Sequence, residues 1–98
     1  MSNQIQNIAQ SGSAIRPNPD VIAQRMEAKM VLLHLRTNRF YELNGTAARI
    51  WELLVEGYDL DQIQDQMFIE FEVDPEQLAS QLGDLIDSLK SEELVEVS

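Results

Sequence analysis

The sequence contains no cysteine, a single histidine and no long apolar segment, and each of these features excludes a class of protein. Without cysteine the chain has neither disulfides nor thiolate metal sites. No apolar run approaches the roughly 20 residues that a membrane-spanning helix needs. Residues 1–10 also lack the basic start and apolar run of a signal peptide. We therefore expect a cytoplasmic protein that is not bound to a membrane.

Residues that carry out catalysis are also scarce. His34 is the only histidine, and a lone histidine within an apolar segment is far more often packed or exposed than catalytic. The sequence has no glycine-rich phosphate loop and no nucleophile elbow. The carboxylate pairs Asp61/Asp65 and Asp84/Asp87 lack the glycine-bearing loop that shapes a calcium site. We therefore expect no enzymatic activity, no cofactor and no metal site.

The charge of the chain is acidic and unevenly distributed. The net charge is −10 over 98 residues. Residues 1–49 hold six basic residues against three acidic ones, whereas residues 50–98 hold Lys90 alone against fourteen acidic residues. The acidic half repels phosphate backbones and attracts a basic partner. A solvated helix surface without any partner explains the same composition equally well.

The N-terminal half predicts an arm followed by three strands. Residues 1–19 are polar and are interrupted by Ser-Gly-Ser and Pro-Asn-Pro, so we expect a flexible arm before a single domain over residues 20–98. Order that begins at Ile15, within the arm, is the alternative. Apolar alternation predicts strands over residues 21–25, 29–35 and 39–43.

The turn between the last two predicted strands decides how they pair. Asn38 tolerates the left-handed backbone conformation that such a turn often needs. A two-residue loop would break the apolar face, so a three-residue loop is the better fit. It gives a register with Leu35 beside Tyr41 and Leu33 beside Leu43. This register points Tyr41 towards the helices, and Phe40 and Glu42 away from them.

Three helices follow, and each has its own start signal. Asn44, Asp59 and Asp74 are placed to cap them, and Gly57 ends the first. Gln62 and Gln77 each complete a capping box, for the second and third helix respectively. The third helix carries the longest apolar face: Leu78, Leu82, Leu85, Ile86 and Leu89. Residues 94–97 predict an extended tail packed on the domain. The expected fold is α+β and winged-helix-like, with a three-stranded antiparallel sheet followed by three helices.

This outline leaves three functions open. A winged helix can bind DNA, but the third helix carries Glu76, Asp84 and Asp87 and has little basic charge. The third strand, residues 39–43, forms a sheet edge that can pair with a peptide strand, or can simply be an ordinary protected edge. A small oligomerisation subunit, such as a homodimer without a peptide ligand, is the third possibility.

A series of short motifs in fixed order spans residues 31–96. An aliphatic strand is followed by Thr-Asn-Arg, two aromatic residues, Leu-Asn-Gly-Thr-Ala and Ile-Trp-Glu-Leu-Leu. Val-Asp-Pro-Glu at residues 73–76 and Leu-Val-Glu at residues 94–96 complete the pattern. The order and spacing of these motifs closely resemble the PqqD-like family over residues 20–97. Asn38 stands where the family usually has glycine, and residues 1–19 match nothing in it.

The resemblance implies a standalone recognition element that catalyses nothing. Such a domain binds the leader segment of a ribosomally synthesised precursor peptide as an added strand. It presents the peptide to a modifying enzyme, such as a radical SAM maturase or a leader peptidase. The residues that we expect to bind the peptide lie on the third strand and the third helix: Arg39, Phe40, Tyr41, Glu42, Leu43, Leu78, Gln81, Leu82 and Leu85. We expect Leu78 and Leu82 to be shared between core and groove, and Gln81 and Leu85 to border the groove.

Overall fold

The computed structural model describes residues 15–97, in which a three-stranded sheet packs against three helices. The strands are β1 (Ile15–Pro17), β2 (Val21–Met26), β3 (Lys29–His34), β4 (Arg39–Leu43) and β5 (Val95–Val97). The helices are α1 (Gly45–Val55), α2 (Leu60–Glu70) and α3 (Pro75–Ser91). The predicted α+β, winged-helix-like fold is confirmed. Residues 1–14 of the predicted arm lie outside the described residues.

A second, two-stranded sheet joins the two ends of the described chain. β1 pairs antiparallel with β5, with Ile15 opposite Val97 and Pro17 opposite Val95. The backbone N–H of Asn18 also donates to the carbonyl oxygen of Leu94 at 2.9 Å. Residues 15–17, which the sequence placed in the arm, therefore form a strand, and the predicted C-terminal extended tail is confirmed. Three residues are too few to show the alternation that reveals a strand.

The main sheet has the strand order β2-β3-β4, and its β3–β4 register differs from the prediction. Leu32 lies opposite Tyr41, and Met30 lies opposite Leu43. The predicted pairs Leu35/Tyr41 and Leu33/Leu43 are therefore wrong. Four residues, 35–38, separate the two strands instead of three.

The shift of three residues exchanges the two faces of β3, because side chains alternate along a strand. Met30, Leu32 and His34 are buried, whereas Leu35 is exposed in the turn. The turn closes through Asn38, which adopts φ 64° as expected and donates its N–H to the carbonyl oxygen of His34 at 2.7 Å.

His34 is fully buried, and both of its ring nitrogens have partners. Nδ1 accepts the backbone N–H of Arg36 at 3.3 Å, so Nε2 carries the proton and donates to the carbonyl oxygen of Glu93 at 3.1 Å. The side chain therefore fastens the β3–β4 turn to the residues that follow α3. It is a packed residue, as the lone-histidine argument anticipated.

Local signals set the helix ends. The Asn44 side chain accepts the N–H of Ala47 at 3.0 Å, and Gly57, at φ 94°, follows the end of α1. Asp59 and Gln62 form the complete capping box that the sequence predicted for α2. α3 is the exception, because the Asp74 side chain makes no capping hydrogen bond, and the box predicted with Gln77 is wrong. The ring of Pro75 presets φ in the first turn and has no N–H to satisfy, so the helix begins without that bond.

The core lies between the inner face of the sheet and the three helices. Its α3 side chains recur at helical spacing: Leu78, Leu82, Ile86 and Leu89. Burial of each such side chain contributes roughly 1.5–3 kcal/mol to folding. Leu85 is half-buried at the margin of this cluster. No helix within residues 15–97 is long and apolar enough to cross a membrane.

Candidate functional site

β4 forms an edge of the three-stranded sheet. Its register with β3 continues without interruption over five residue pairs. Within residues 15–97 no strand pairs with its other side, so alternate N–H and C=O groups between Arg39 and Leu43 point away from the sheet. The strand contains no proline, and it can therefore accept a further strand along its whole length.

The side chains of β4 divide between the two faces of the sheet. Phe40 is 70% exposed and points away from the helices, whereas Tyr41 is half-buried against the core and Leu43 is buried within it. These orientations confirm the predicted directions of the two aromatic side chains. Glu42 is exposed, and its carboxylate lies 2.8 Å from Nζ of Lys29 on β3.

A cavity of about 280 Å³ lies where β4 ends, between α1 and α3. Its lining residues are Asn44, Thr46, Ala47, Ile50, Gln81 and Leu85. Ala47, Ile50 and Leu85 provide apolar walls, and Asn44 lies directly after the strand. Gln81 and Leu85 share one face of α3, because they are separated by four residues. The cavity is suited to an apolar side chain that approaches along β4.

The other end of β4 carries a polar cluster shared with the residues that end α3. The Tyr41 hydroxyl donates to Oε1 of Glu92 at 2.8 Å, and Nη1 of Arg39 lies 3.5 Å from the same oxygen. The hydrogen bond to Glu92, followed by burial and by the carboxylate charge, raises the pKa of Tyr41 above its ordinary value of 10.0. A cavity of about 360 Å³ is bordered by Arg36, Thr37, Arg39, Tyr41, Ser91, Glu92 and Glu93.

An ion pair closes this end of the site. The Arg36 guanidinium donates to the Glu93 carboxylate, and this hydrogen bond and the arginine charge lower the pKa of Glu93. Both side chains are exposed, so the pair contributes little to stability. Together with the buried bond from His34 to the Glu93 carbonyl, it holds the turn before β4 against the end of α3.

α3 borders both cavities, and we name the surface between β4 and this face of α3 the β4 groove. It comprises residues 39–44, the face of α3 that carries Gln81, Leu85 and Ser88, and Glu92, which directly follows the helix. These helical residues recur at intervals of three and four, so they lie on one side of α3. The eleven steps along the chain from Gln81 to Glu92 span about 16 Å of helix. β4 itself is about five residues long at roughly 3.3 Å each, which matches the length of the groove.

The structure brings most of the predicted site residues together and separates two. All five β4 residues and Gln81 and Leu85 border the β4 groove or its strand edge. Leu82 is buried in the core, and Leu78 lines a different cavity, between α2 and α3. The role of these nine residues in peptide binding stays a prediction.

Sequence reasoning missed Glu92 and the residues of α1 that line the groove. Asn44 was identified only as a helix cap, yet it also borders the cavity with Thr46 and Ala47. Glu92 had a detectable signal, since it follows Leu85 by seven residues and so falls on the same helical face. The spacing of Leu85 and Glu92 identifies the groove-facing side of α3 only once it is known that β4 lies opposite that side.

The β4 groove combines the backbone groups of a strand edge, an apolar cavity and a polar cluster. Within residues 15–97 no group of three or more histidine, aspartate and glutamate side chains is placed to hold a metal ion. His34 is occupied on both nitrogens by backbone groups. What the groove offers to a ligand is strand pairing and side-chain selection.

Comparison with known proteins gives one family and two similar structures. The family described as coenzyme PQQ synthesis protein D (PqqD) matches residues 29–95. TbiB1 in complex with the TbiA(beta) leader peptide is similar at 32% identity, with a TM-score of 0.79 over 83% of this chain and 94% of that one. Lasso peptide synthetase B1 complexed with the leader peptide is similar at 26% identity, with a TM-score of 0.77 over 85% of this chain and 98% of that one. No curated protein matches the sequence.

Proposed function

The chain belongs to the PqqD family, and from this we propose that it is a non-catalytic adaptor for a ribosomally synthesised precursor peptide. It binds the leader segment of the precursor at β4 and presents the peptide to a modifying enzyme. Both similar structures are complexes with leader peptides. The observation that carries the proposal is the edge of β4, which no strand within residues 15–97 pairs and which faces α3 with a cavity at each end.

The leader binds by adding a fourth strand to the sheet. Backbone hydrogen bonds to the outward N–H and C=O groups of β4 supply affinity without sequence preference. Because side chains alternate along a strand, every second leader residue faces the β4 groove, at intervals of roughly 7 Å. The groove therefore selects leader residues at alternate positions.

The two ends of the groove select different side chains. The cavity beside Asn44 takes an apolar leader side chain, because Ala47, Ile50 and Leu85 provide its walls. The end with Tyr41 and Glu92 takes a polar side chain that can share their hydrogen-bonded cluster.

The acidic residues near the groove favour a basic leader. Asp84 is exposed on α3 beside Leu85, and Glu42 is exposed on β4. Lys29 lies 2.8 Å from Glu42 and offsets its charge, so Asp84 is the stronger attraction for a leader lysine or arginine. α3 carries a single basic residue that could contact a phosphate backbone, Lys90 near its end, which disfavours nucleic acid as the ligand.

The modifying enzyme is a radical SAM maturase or a leader peptidase. A leader that occupies β4 leaves the remainder of the precursor free to enter the enzyme. Neither enzyme class needs a catalytic residue from this chain.

A titration of the leader peptide into ¹⁵N-labelled protein tests the binding site. The probe is a synthetic leader peptide from a candidate precursor gene sought in the genomic neighbourhood of this chain, and a scrambled peptide of the same composition is the control. We expect backbone amide shifts to concentrate in residues 39–47 and 81–92, with no response to the scrambled peptide. Shifts confined to α2 or to β2 would place the ligand elsewhere and contradict strand addition at β4.

A further inference from the structure

A second apolar cavity lies between α2 and α3 and shares no lining residue with either cavity of the β4 groove. It has a volume of about 210 Å³ and is lined by Gln64, Asp65, Phe68, Pro75 and Leu78. Leu78 is buried, whereas Phe68 is 51% exposed at the surface. The cavity therefore presents an apolar interior that solvent reaches, with an aromatic side chain beside it. Leader binding at the β4 groove, as proposed, does not involve this cavity.

The surface around this cavity is acidic. Asp61, Gln64, Asp65 and Phe68 recur at intervals of three and four, so they occupy one face of α2. Within residues 15–97, neither Asp61 nor Asp65 forms an ion pair. The basic residues that do form ion pairs contact acidic residues elsewhere: Arg25, Lys29, Arg36, Arg39 and Arg49. The negative charge of this face is thus available to a partner.

We infer that this cavity is the docking site for the enzyme that modifies the bound precursor. This inference rests on the proposed function. The enzyme contributes a segment with one aliphatic or aromatic side chain, which enters the cavity beside Phe68, and with lysine or arginine next to it, which meets Asp61 and Asp65. An apolar anchor surrounded by complementary charge is the usual construction of a specific protein interface.

The negative charge of the molecule favours the modifying enzyme as the occupant of this cavity over a second copy, a nucleic acid or an anionic lipid surface. A second copy of this chain also has a net charge of −10. It would place an identical acidic face against Asp61 and Asp65, so the two copies would repel each other. A nucleic acid or an anionic lipid surface carries the same unfavourable sign. The leader is already provided for at β4. Because the two cavities share no residue, leader and enzyme can be bound at the same time, which presentation of the peptide requires.

Binding of a purified candidate enzyme, a radical SAM maturase or leader peptidase from the genomic neighbourhood of this chain, tests the inference. The full chain, loaded with leader, is titrated against the immobilised enzyme at low and at physiological salt. We expect Phe68→Ser to weaken the enzyme affinity about tenfold, as loss of an interface anchor does. We expect Asp65→Asn to weaken it several-fold at low salt and to reduce its salt dependence. Leader affinity should stay within about twofold of wild type in both variants.

Two matched controls make the test specific. Ile69→Ser removes an exposed apolar side chain of the same helix that does not line the cavity. Asp87→Asn makes the same charge change on α3, about 13 Å along the helix from Leu78. Both should leave the enzyme affinity unchanged. Phe68 is half exposed, so Phe68→Ser removes few core contacts. If Phe68→Ser nevertheless lowers stability, Asp65→Asn still tests the docking site, because it changes no apolar contact.

Different failures have different meanings. Unchanged enzyme binding in both variants, equal loss in the controls, or no enzyme binding to the leader-loaded wild type overturns the docking site. Loss of leader affinity in Phe68→Ser assigns the cavity to the peptide and also overturns it. Absence of leader binding to the wild-type protein would instead contradict the proposed function itself. The leader titration without the enzyme distinguishes this outcome from failure of the docking site.

Discussion

Replacement of Leu85 by alanine tests whether the cavity beside Asn44 holds a leader side chain. The substitution removes three carbons, each worth about 0.8 kcal/mol when fully buried, or about 2.4 kcal/mol in all. At most about a third of the Leu85 surface is exposed in the free protein, so about two thirds of this energy, about 1.6 kcal/mol, belongs to folding. The remaining third, about 0.8 kcal/mol, is gained when a ligand covers the side chain. We therefore expect the leader Kd to rise about fourfold and the free energy of unfolding to fall by about 1.6 kcal/mol.

The assay is fluorescence anisotropy of a labelled leader, with urea unfolding of each variant measured in parallel. Leu60→Ala is the matched control, because Leu60 is also half-buried against the core but lies on α2 and lines neither cavity of the groove. It should lose stability to a similar extent and keep the wild-type leader affinity. An unchanged Kd for Leu85→Ala, or an equal rise in Leu60→Ala, would refute the assignment of the cavity to the leader.

The remaining predictions concern the groups that hold the site in place. Arg49 donates two hydrogen bonds to Glu70, at 2.8 and 2.7 Å, and lowers the pKa of Glu70 from 4.5 to about 2. Because the folded pKa is the lower one, this stabilisation is complete above pH 4.5 and is lost as the pH falls towards 2. The free energy of unfolding in urea should fall by about 1 kcal/mol over this pH range, and Glu70→Gln should abolish this fall. His34→Phe should lower the free energy of unfolding by about 2 kcal/mol, since it abolishes two buried hydrogen bonds, and a loss below about 0.5 kcal/mol would contradict that role. Glu92→Ala should lower the pKa of Tyr41 towards 10.0, seen as an earlier tyrosinate absorbance in a titration against wild type; an unmoved titration would exclude the hydrogen bond as the cause.

Local chemistry made the helix boundaries predictable from the sequence. Asn44 and the Asp59–Gln62 box act within one turn of chain, so three or four residues determine the outcome. Asp74 has the same type of signal, yet its side chain does not cap α3. A sequence shows which side chains are able to cap, but not which of them the surrounding structure allows to do so.

Strand register depended on contacts that are distant in the chain. Leu33 and Leu35 looked like core residues, and the prediction placed them inward with Tyr41 and Leu43. His34 takes the inward position instead, because the carbonyl of Glu93 and a turn N–H satisfy its ring. A histidine beside leucines does not look like a core residue until those partners are known. The pairing of β1 with β5 was hidden for the same reason, since Ile15 meets Val97 from the far end of the chain.

The candidate site was predictable as a strand and a helix, but not as a set of side chains. Leu82 and Leu85 are three residues apart, and helical spacing alone does not say where the core ends and the groove begins. The packing of α1 and α2 decides it, with Leu82 and Leu78 covered and Leu85 left half-buried at the cavity.

Amide hydrogen exchange of residues 39–43 with and without the leader tests strand addition at β4 most directly. In the free protein, we expect the alternate amides bonded to β3 to be protected and those that point outward to exchange rapidly. Leader binding should protect the outward amides of β4, because they acquire strand hydrogen bonds. A leader that binds tightly while those amides exchange as fast as before would contradict the account.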